Sequence, residues 1–271
     1  MFIIRKDGHT IAEFWRNYWN SVHRDPDRID DATIYPLFPI DEYIKPGMRI
    51  LEAGCGMGRV FKHYFYSGYD IIGLEYDIAC LKRLHVENPE FRLFCADARR
   101  LPVATDSMDL VMAFGLVSSI ESSPREVLAE LRRVARNGGL VCASAACDNL
   151  LRRLQNVVAA CLGWLSHITS TTKAERRFFA WAWTPEEWRA ELTQAGLEVV
   201  RVEPTHSRVL FWQYLPFLRG APTDSLDLGE ARNGDVGYRL NALGERLFRW
   251  ARETIPWVIA VGVVAVARKR S

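Results

Sequence analysis

Three glycines at alternate positions, Gly54, Gly56 and Gly58, follow the run Ile50-Leu51-Glu52-Ala53 and precede Val60-Phe61-Lys62-His63-Tyr64-Phe65. Glycines in that place let the chain reverse sharply from a strand into a helix. They also leave bare backbone at the helix N-terminus for a ligand to lie against. Two more acids end strand-like segments downstream. The segment Asp70-Ile71-Ile72-Gly73-Leu74-Glu75 brings Glu75 to about the interval that delivers a carboxylate to ribose hydroxyls. A planar acceptor taking two hydroxyl donors is a natural clamp for a ribose. The segment Phe91 to Ala98 ends on Asp97, which suits an adenine amino group while the Ala98 amide meets a ring nitrogen. Together these residues describe a pocket for a nucleoside-bearing cofactor.

The spacing decides which one. A turn built for a pyrophosphate reads G-x-G-x-x-G, whereas this one reads G-x-G-x-G. Glu52, two residues before the first glycine, would face a phosphate with like charge. S-adenosylmethionine (SAM) carries a sulfonium, an ammonium and one carboxylate, and no phosphate, so carboxylates suit it. Residues 45 to 145 resemble the class I, Rossmann-like SAM-dependent methyltransferases of the small-molecule type. Glu52, Gly54, Gly56 and Gly58 match that family's first motif, Glu75 its ribose-binding acid and Asp97 the acid before the adenine. Leu101-Pro102-Val103, then Met108 to Phe114 as strand four, then Val134 to Leu140 entering strand five, follow in the family's order. The resemblance implies SAM as cofactor, held by Glu52, Gly54, Gly56, Gly58, Glu75, Tyr76, Asp97, Ala98 and Phe114. It implies an α/β fold with a doubly wound, seven-stranded, mostly parallel sheet whose last strand is antiparallel.

After strand four many family members carry an acid followed by a histidine, and this chain has Ser118-Ser119-Ile120. The candidates for a base are His206, His167, His63, Glu121 and Asp148, and none is assigned, so the catalytic residue is unknown. Methyl transfer from a sulfonium needs an aligned nucleophile and a dry site, and a base only where the acceptor must lose a proton. The chain lacks the Asn/Asp/Ser-Pro-Pro-aromatic run of DNA-base amino methyltransferases. It also lacks the acidic clusters of metal-dependent catechol methylation. The expected activity is methyl transfer to O or N of a small or lipid-linked metabolite. A SAM-binding regulatory protein without turnover is the alternative, and an NAD-dependent oxidoreductase stands behind it.

In 271 residues the chain carries 35 basic and 33 acidic side chains, a net +2 that gives no field for nucleic acid. Six cysteines show no paired C-x-x-C spacing, so neither a metal site nor a disulfide framework is expected, and a reducing cytoplasmic setting follows. The N-terminus lacks a signal-like apolar region. The thirteen-residue apolar run Ile255 to Ala267 is too short to span a bilayer.

The pocket residues need elements to position them. A single domain over 1–271 is expected, with a cofactor-binding core at about 45–147 completed by 184–203 and 257–269. An N-terminal helix at 10–22 and cap segments at 148–183 and 204–256 surround it. Thr184-Pro185-Glu186-Glu187 starts a capped helix, Leu197 to Val202 reads as strand six and Trp257 to Ala267 as strand seven. Leu150, Leu151, Leu154, Val157, Val158, Cys161, Leu162 and Leu165 stripe an amphipathic helix. A second helix, Tyr238 to Thr254, bears Arg239, Arg246, Arg249 and Arg252. Peripheral membrane contact through these two helices is the disfavoured partner reading. All nine tryptophans lie outside residues 20–163, which suggests an apolar or ring-containing acceptor beside the pocket.

Overall fold

The computed structural model describes residues 2–7, 13–16, 38–154, 157, 176–208, 211, 215–223 and 237–270. The centre is a parallel sheet of β2 (Arg49–Ala53), β3 (Asp70–Glu75), β4 (Leu93–Cys95), β5 (Met108–Ala113) and β6 (Ala135–Cys147). The inner strand β5, and β6 from Leu140 on, are nearly continuously buried because both faces are covered. Crossover helices α2 (Arg59–Tyr66), α3 (Ile78–Glu87) and α5 (Pro124–Val134) cover it. The short helices α1 (Phe38–Asp41) and α4 (Leu116–Ser119) precede β2 and follow β5.

Beyond β6 the sheet continues into β11 (Gly262–Lys269) and then β8 (Leu197–Thr205), both pairings antiparallel. The order β4-β3-β2-β5-β6-β11-β8, with β11 reversed, is the seven-stranded expectation. The helix α6 (Pro185–Gln194) begins at the expected cap, a capping box. Thr184 Oγ1 accepts from the Glu187 amide at 3.2 Å and Glu187 Oε2 from the Thr184 amide at 3.0 Å.

Several boundaries move, each for a local reason. Strand six runs on to Thr205 in spite of Pro204, because β8 is an edge strand and the missing amide faces outward. Strand seven starts at Gly262 rather than Trp257, since the chain turns at Ile255 with Val258 N–H on the Ile255 carbonyl. The helix expected from Tyr238 begins at Ala242. Asn241 caps it by accepting from the Gly244 amide at 2.9 Å, and Gly237–Leu240 is a strand, β10, paired with β9 (Arg219–Thr223). That helix, α7 (Ala242–Thr254), closes a small unit around Leu218, Leu240 and Phe248.

The larger correction concerns the cap. Residues Arg176–Trp183 form a strand, β7, paired with a further strand β1 (Phe2–Asp7). Ala146 of β6 pairs with Gly262 of β11 and with Ala182 of β7. The two partners must therefore lie on opposite edges of β6, so β7 takes the edge that β5 vacates after Ala113. It rises above the C-terminal end of β5. Of the N-terminal helix, residues 13–16 are helical, and of the amphipathic helix at 150–165, residues 150–154 and 157. The remainder of both, and the aromatic stretch Trp212 to Tyr214, lie outside the described residues. Among the described residues no helix is long and apolar enough to cross a membrane.

Candidate functional site

Gly54, Gly56 and Gly58 all have positive φ, at +74°, +54° and +77°, where L side chains are strained. The turn spends its own amides. Gly54 and Cys55 both donate to the Leu74 carbonyl, at 2.7 and 2.9 Å. The Gly56 amide donates to Glu75 Oε2 at 2.8 Å. The other Glu75 oxygen accepts from the Tyr76 and Asp77 amides at 2.8 and 3.1 Å. Glu75 is thus oriented by backbone on both oxygens. A Cβ on Gly54 would come within 3.0 Å of the Leu116 side chain, so the bare backbone there is required by close packing.

At this turn opens a cavity of about 390 Å³, within the range of small-ligand pockets. Gly54, Glu75, Tyr76, Asp97 and Ala98 of the predicted set line it. Leu74, Leu101, Leu116 and Ile120 supply apolar walls, and Arg99, Ser119, Glu121 and Ser122 a polar rim. Carboxylates at two places and flat apolar walls between them fit an adenosine.

Glu52, Gly56, Gly58 and Phe114 do not line this cavity. Strand alternation is the reason for two of them. Leu51, Ala53 and Ala113 belong to the core layer on the cavity side, whereas Ile50 and Met112 belong to the opposite layer with α2, against which Phe114 packs. Glu52 is buried, with Oε2 unpartnered. Burial pushes its pKa up to about 8, opposed by the Phe61 amide and the charge of Arg59. Burial thus favours the neutral form of Glu52, and the like-charge argument against a phosphate does not rest on it. It rests on the turn amides, which are already spent on Leu74 and Glu75. An orphaned carboxyl oxygen two residues from Gly54 fits a cofactor that brings a cation.

The sequence missed Arg99. Its guanidinium grips Asp97, with Nη2 to Oδ2 at 2.6 Å and Nε to Oδ1 at 3.0 Å, and reaches Ser122 Oγ at 3.2 Å. This grip holds the Asp97 carboxyl below the usual range. The acid carries an exposed partner that no motif signalled. The departure at Ser118-Ser119 also gains a reason, since both hydroxyls donate back to the Gly115 carbonyl, at 3.1 and 2.9 Å. They lock the one-turn α4, which presents Leu116, Ser119 and Ile120 to the cavity. Behind Ile120 stands Trp181 of β7, whose Nε1 donates to the Ile120 carbonyl at 3.0 Å. Phe179 of the same strand meets Phe14 edge-on at 4.8 Å between centroids.

Of the candidate bases, Glu121 reaches the cavity. Asp148 is buried and gripped by Arg153 at 2.7 and 2.9 Å. His206 is buried with Nε2 at 3.0 Å from the Pro256 carbonyl, and burial lowers its pKa. His63 is exposed on α2, and His167 lies outside the described residues.

Comparison with known proteins agrees with this geometry. Residues 51–143 match the family described as "Methyltransferase domain". A demethylmenaquinone methyltransferase of Renibacterium salmoninarum is 35% identical over 95 residues, 35% of this chain and 39% of that protein. A malonyl-[acyl-carrier protein] O-methyltransferase of Pectobacterium atrosepticum is 28% identical over 108 residues, 40% of this chain and 42% of that protein. The matches thus span about two fifths of these relatives' length. A solved SAM-dependent methyltransferase from Methanosarcina mazei shares the fold, with TM-score 0.57, 16% identity, and coverage of 86% of this chain and 97% of that one. Residues 51–143 thus carry a methyltransferase domain, and the sheet that holds them has the fold of a solved SAM-dependent methyltransferase.

Proposed function

We propose that the protein transfers a methyl group to O or N of a small or lipid-linked metabolite with an apolar or ring-containing body. The observation that carries this is the cavity's division of labour: a carboxylate preset by three backbone amides on one side, and an apolar wall with a polar rim, backed by an aromatic strand, on the other. In this reading Glu75 takes the ribose hydroxyls and Asp97, with the Ala98 amide, the adenine edge. Glu52 balances the positive charge. When bound, SAM supplies an electrophilic methyl on its sulfonium. The chain's own part is to align the acceptor and exclude water. Leu116 and Ile120 do this as apolar wall, with Trp181 bracing Ile120 from behind. Glu121 is the carboxylate on that rim which could take a proton from an acceptor hydroxyl. The relatives' names, a demethylmenaquinone and a malonyl-carrier methyltransferase, support an acceptor with an apolar or tethered body.

Two measurements test the reading. Calorimetry should show SAM and S-adenosylhomocysteine binding with similar affinity and NAD giving no heat, because the turn amides that would meet a pyrophosphate are occupied. Tight NAD binding without a SAM signal would overturn it. For the acceptor side, Trp181→Ala should raise the acceptor's KM by about tenfold, because the Ile120 wall loses the indole that braces it, with SAM affinity nearly unchanged. If Trp181→Ala moved SAM affinity and left acceptor selectivity alone, β7 would be scaffold rather than acceptor wall. A protein that binds SAM without turnover is favoured by the missing acid-histidine pair, and failure to label any acceptor in a metabolite extract with methyl-labelled SAM would select it.

A further inference from the structure

We infer that the outer face of α7 is a docking surface for an anionic lipid bilayer. The helix is two-sided in an unusual way. Its inner side buries Gly244, Phe248 and Ala251 against the small unit that includes Leu218 and Leu240. The fit there is close, since a Cβ on Gly244 would meet Leu240 and the Leu218 carbonyl at 3.0 and 3.1 Å. Outside, at intervals of four and three residues, Leu243, Leu247 and Trp250 form a second apolar stripe that remains 53%, 37% and 55% exposed. Arg246 and Arg249 border it and Arg239 precedes it, all exposed, and no described residue forms an ion pair with them. The acids of the helix are Glu245, turned to Arg208 at 2.9 Å, and the exposed Glu253.

A solvated helix face does not need leucine and tryptophan, and a core does not need unpaired arginines. An apolar stripe with a tryptophan, flanked by arginines, suits a surface that is apolar beneath and anionic above. Three side chains on one helix fall well short of the roughly 800 Å² per partner that a stable protein dimer buries. The placement adds a second observation. The small unit hangs between the end of β8 and the start of β11, at the same C-terminal edge of the sheet where the cavity opens. The helix beginning at Leu150 is tied to the segment after α7, Asn149 Nδ2 donating to the Trp257 and Ala260 carbonyls at 3.0 and 2.8 Å and Arg152 Nη2 to the Val261 carbonyl at 2.7 Å. It too carries exposed apolar residues at intervals of four and three, Leu150, Leu154 and Val157. Both stripes thus belong to segments that leave the C-terminal edge of the sheet, the edge at which the cavity opens. The inference itself needs no methyl transfer.

The test is co-sedimentation of the full chain with phosphatidylcholine vesicles and with vesicles in which a third of the lipid is phosphatidylglycerol. Binding is expected to the anionic vesicles, and to weaken as salt is added. Arg246→Glu with Arg249→Glu, and separately Leu247→Glu with Trp250→Glu, should each lower the bound fraction by about tenfold. All four side chains are exposed, so the helix signal in circular dichroism and the SAM affinity should stay as in the parent. Absence of binding to anionic vesicles, or binding that survives both double substitutions, overturns the proposal. So does a change of oligomeric state in the Leu247/Trp250 variant with vesicle binding intact, which would make a second copy the occupant.

Discussion

Replacing Glu75 with alanine is expected to weaken SAM binding by about a hundredfold, because two hydroxyl bonds to a charged acceptor are lost at about 1.5 kcal/mol each. The same change should lower the stability of the cofactor-free protein by about 1–2 kcal/mol, since the Gly56, Tyr76 and Asp77 amides all end on this carboxylate and lose their acceptor. Glutamine is no gentle control. Both oxygens already face N–H donors, so whichever way the amide is turned its NH₂ meets another donor. Calorimetry for SAM and a melting curve without it separate the two effects. A Glu75→Ala variant that bound SAM like the parent would remove Glu75 from the site, whatever happened to its melting temperature.

One part of the cavity lining was legible in the sequence for a physical reason. A turn that needs positive φ three times can be written only with glycine, and an acid at a strand end has one place to go once the sheet is parallel. Gly54, Glu75, Asp97 and Ala98 could therefore be placed together from spacing alone. The wall behind Ile120 was not legible because it is made by pairing at long range. Nothing local in Arg176–Trp183 says that it will occupy the edge of β6 left by β5, a fact set by where α4 departs. Its alternation of Phe178, Ala180 and Ala182 with Phe179 and Trp181 is a strand signal, weaker than the helical stripe at 150–165. The charge of Glu52 was not legible, since the sequence counts a carboxylate as ionised and burial, which raises its pKa, shows only in the fold.

That charge state yields the second large effect, a pH dependence of opposite sign to that of most carboxylates. In the unfolded chain Glu52 loses its proton near its ordinary value of 4.5, while in the folded chain it keeps it up to about 8. Between those limits the folded state binds the extra proton, so the stability of the cofactor-free protein should fall as pH rises through the window and level off above it. Above about 8 the buried carboxylate costs on the order of 5 kcal/mol relative to a neutral side chain. Glu52→Gln keeps the shape, removes the titration and should melt higher than the parent at and above neutral pH, with a flat profile where the parent slopes. Cofactor binding should show the reverse. A cation arriving beside Glu52 favours the ionised form, so SAM binding should release a proton below about pH 8, strengthen as pH rises towards it, and lose that dependence in Glu52→Gln. Calorimetry in buffers of different ionisation enthalpy reads the proton directly. Binding with no proton released, together with parent-like pH profiles in Glu52→Gln, would show that Glu52 is ionised throughout and that its unpartnered oxygen has another role.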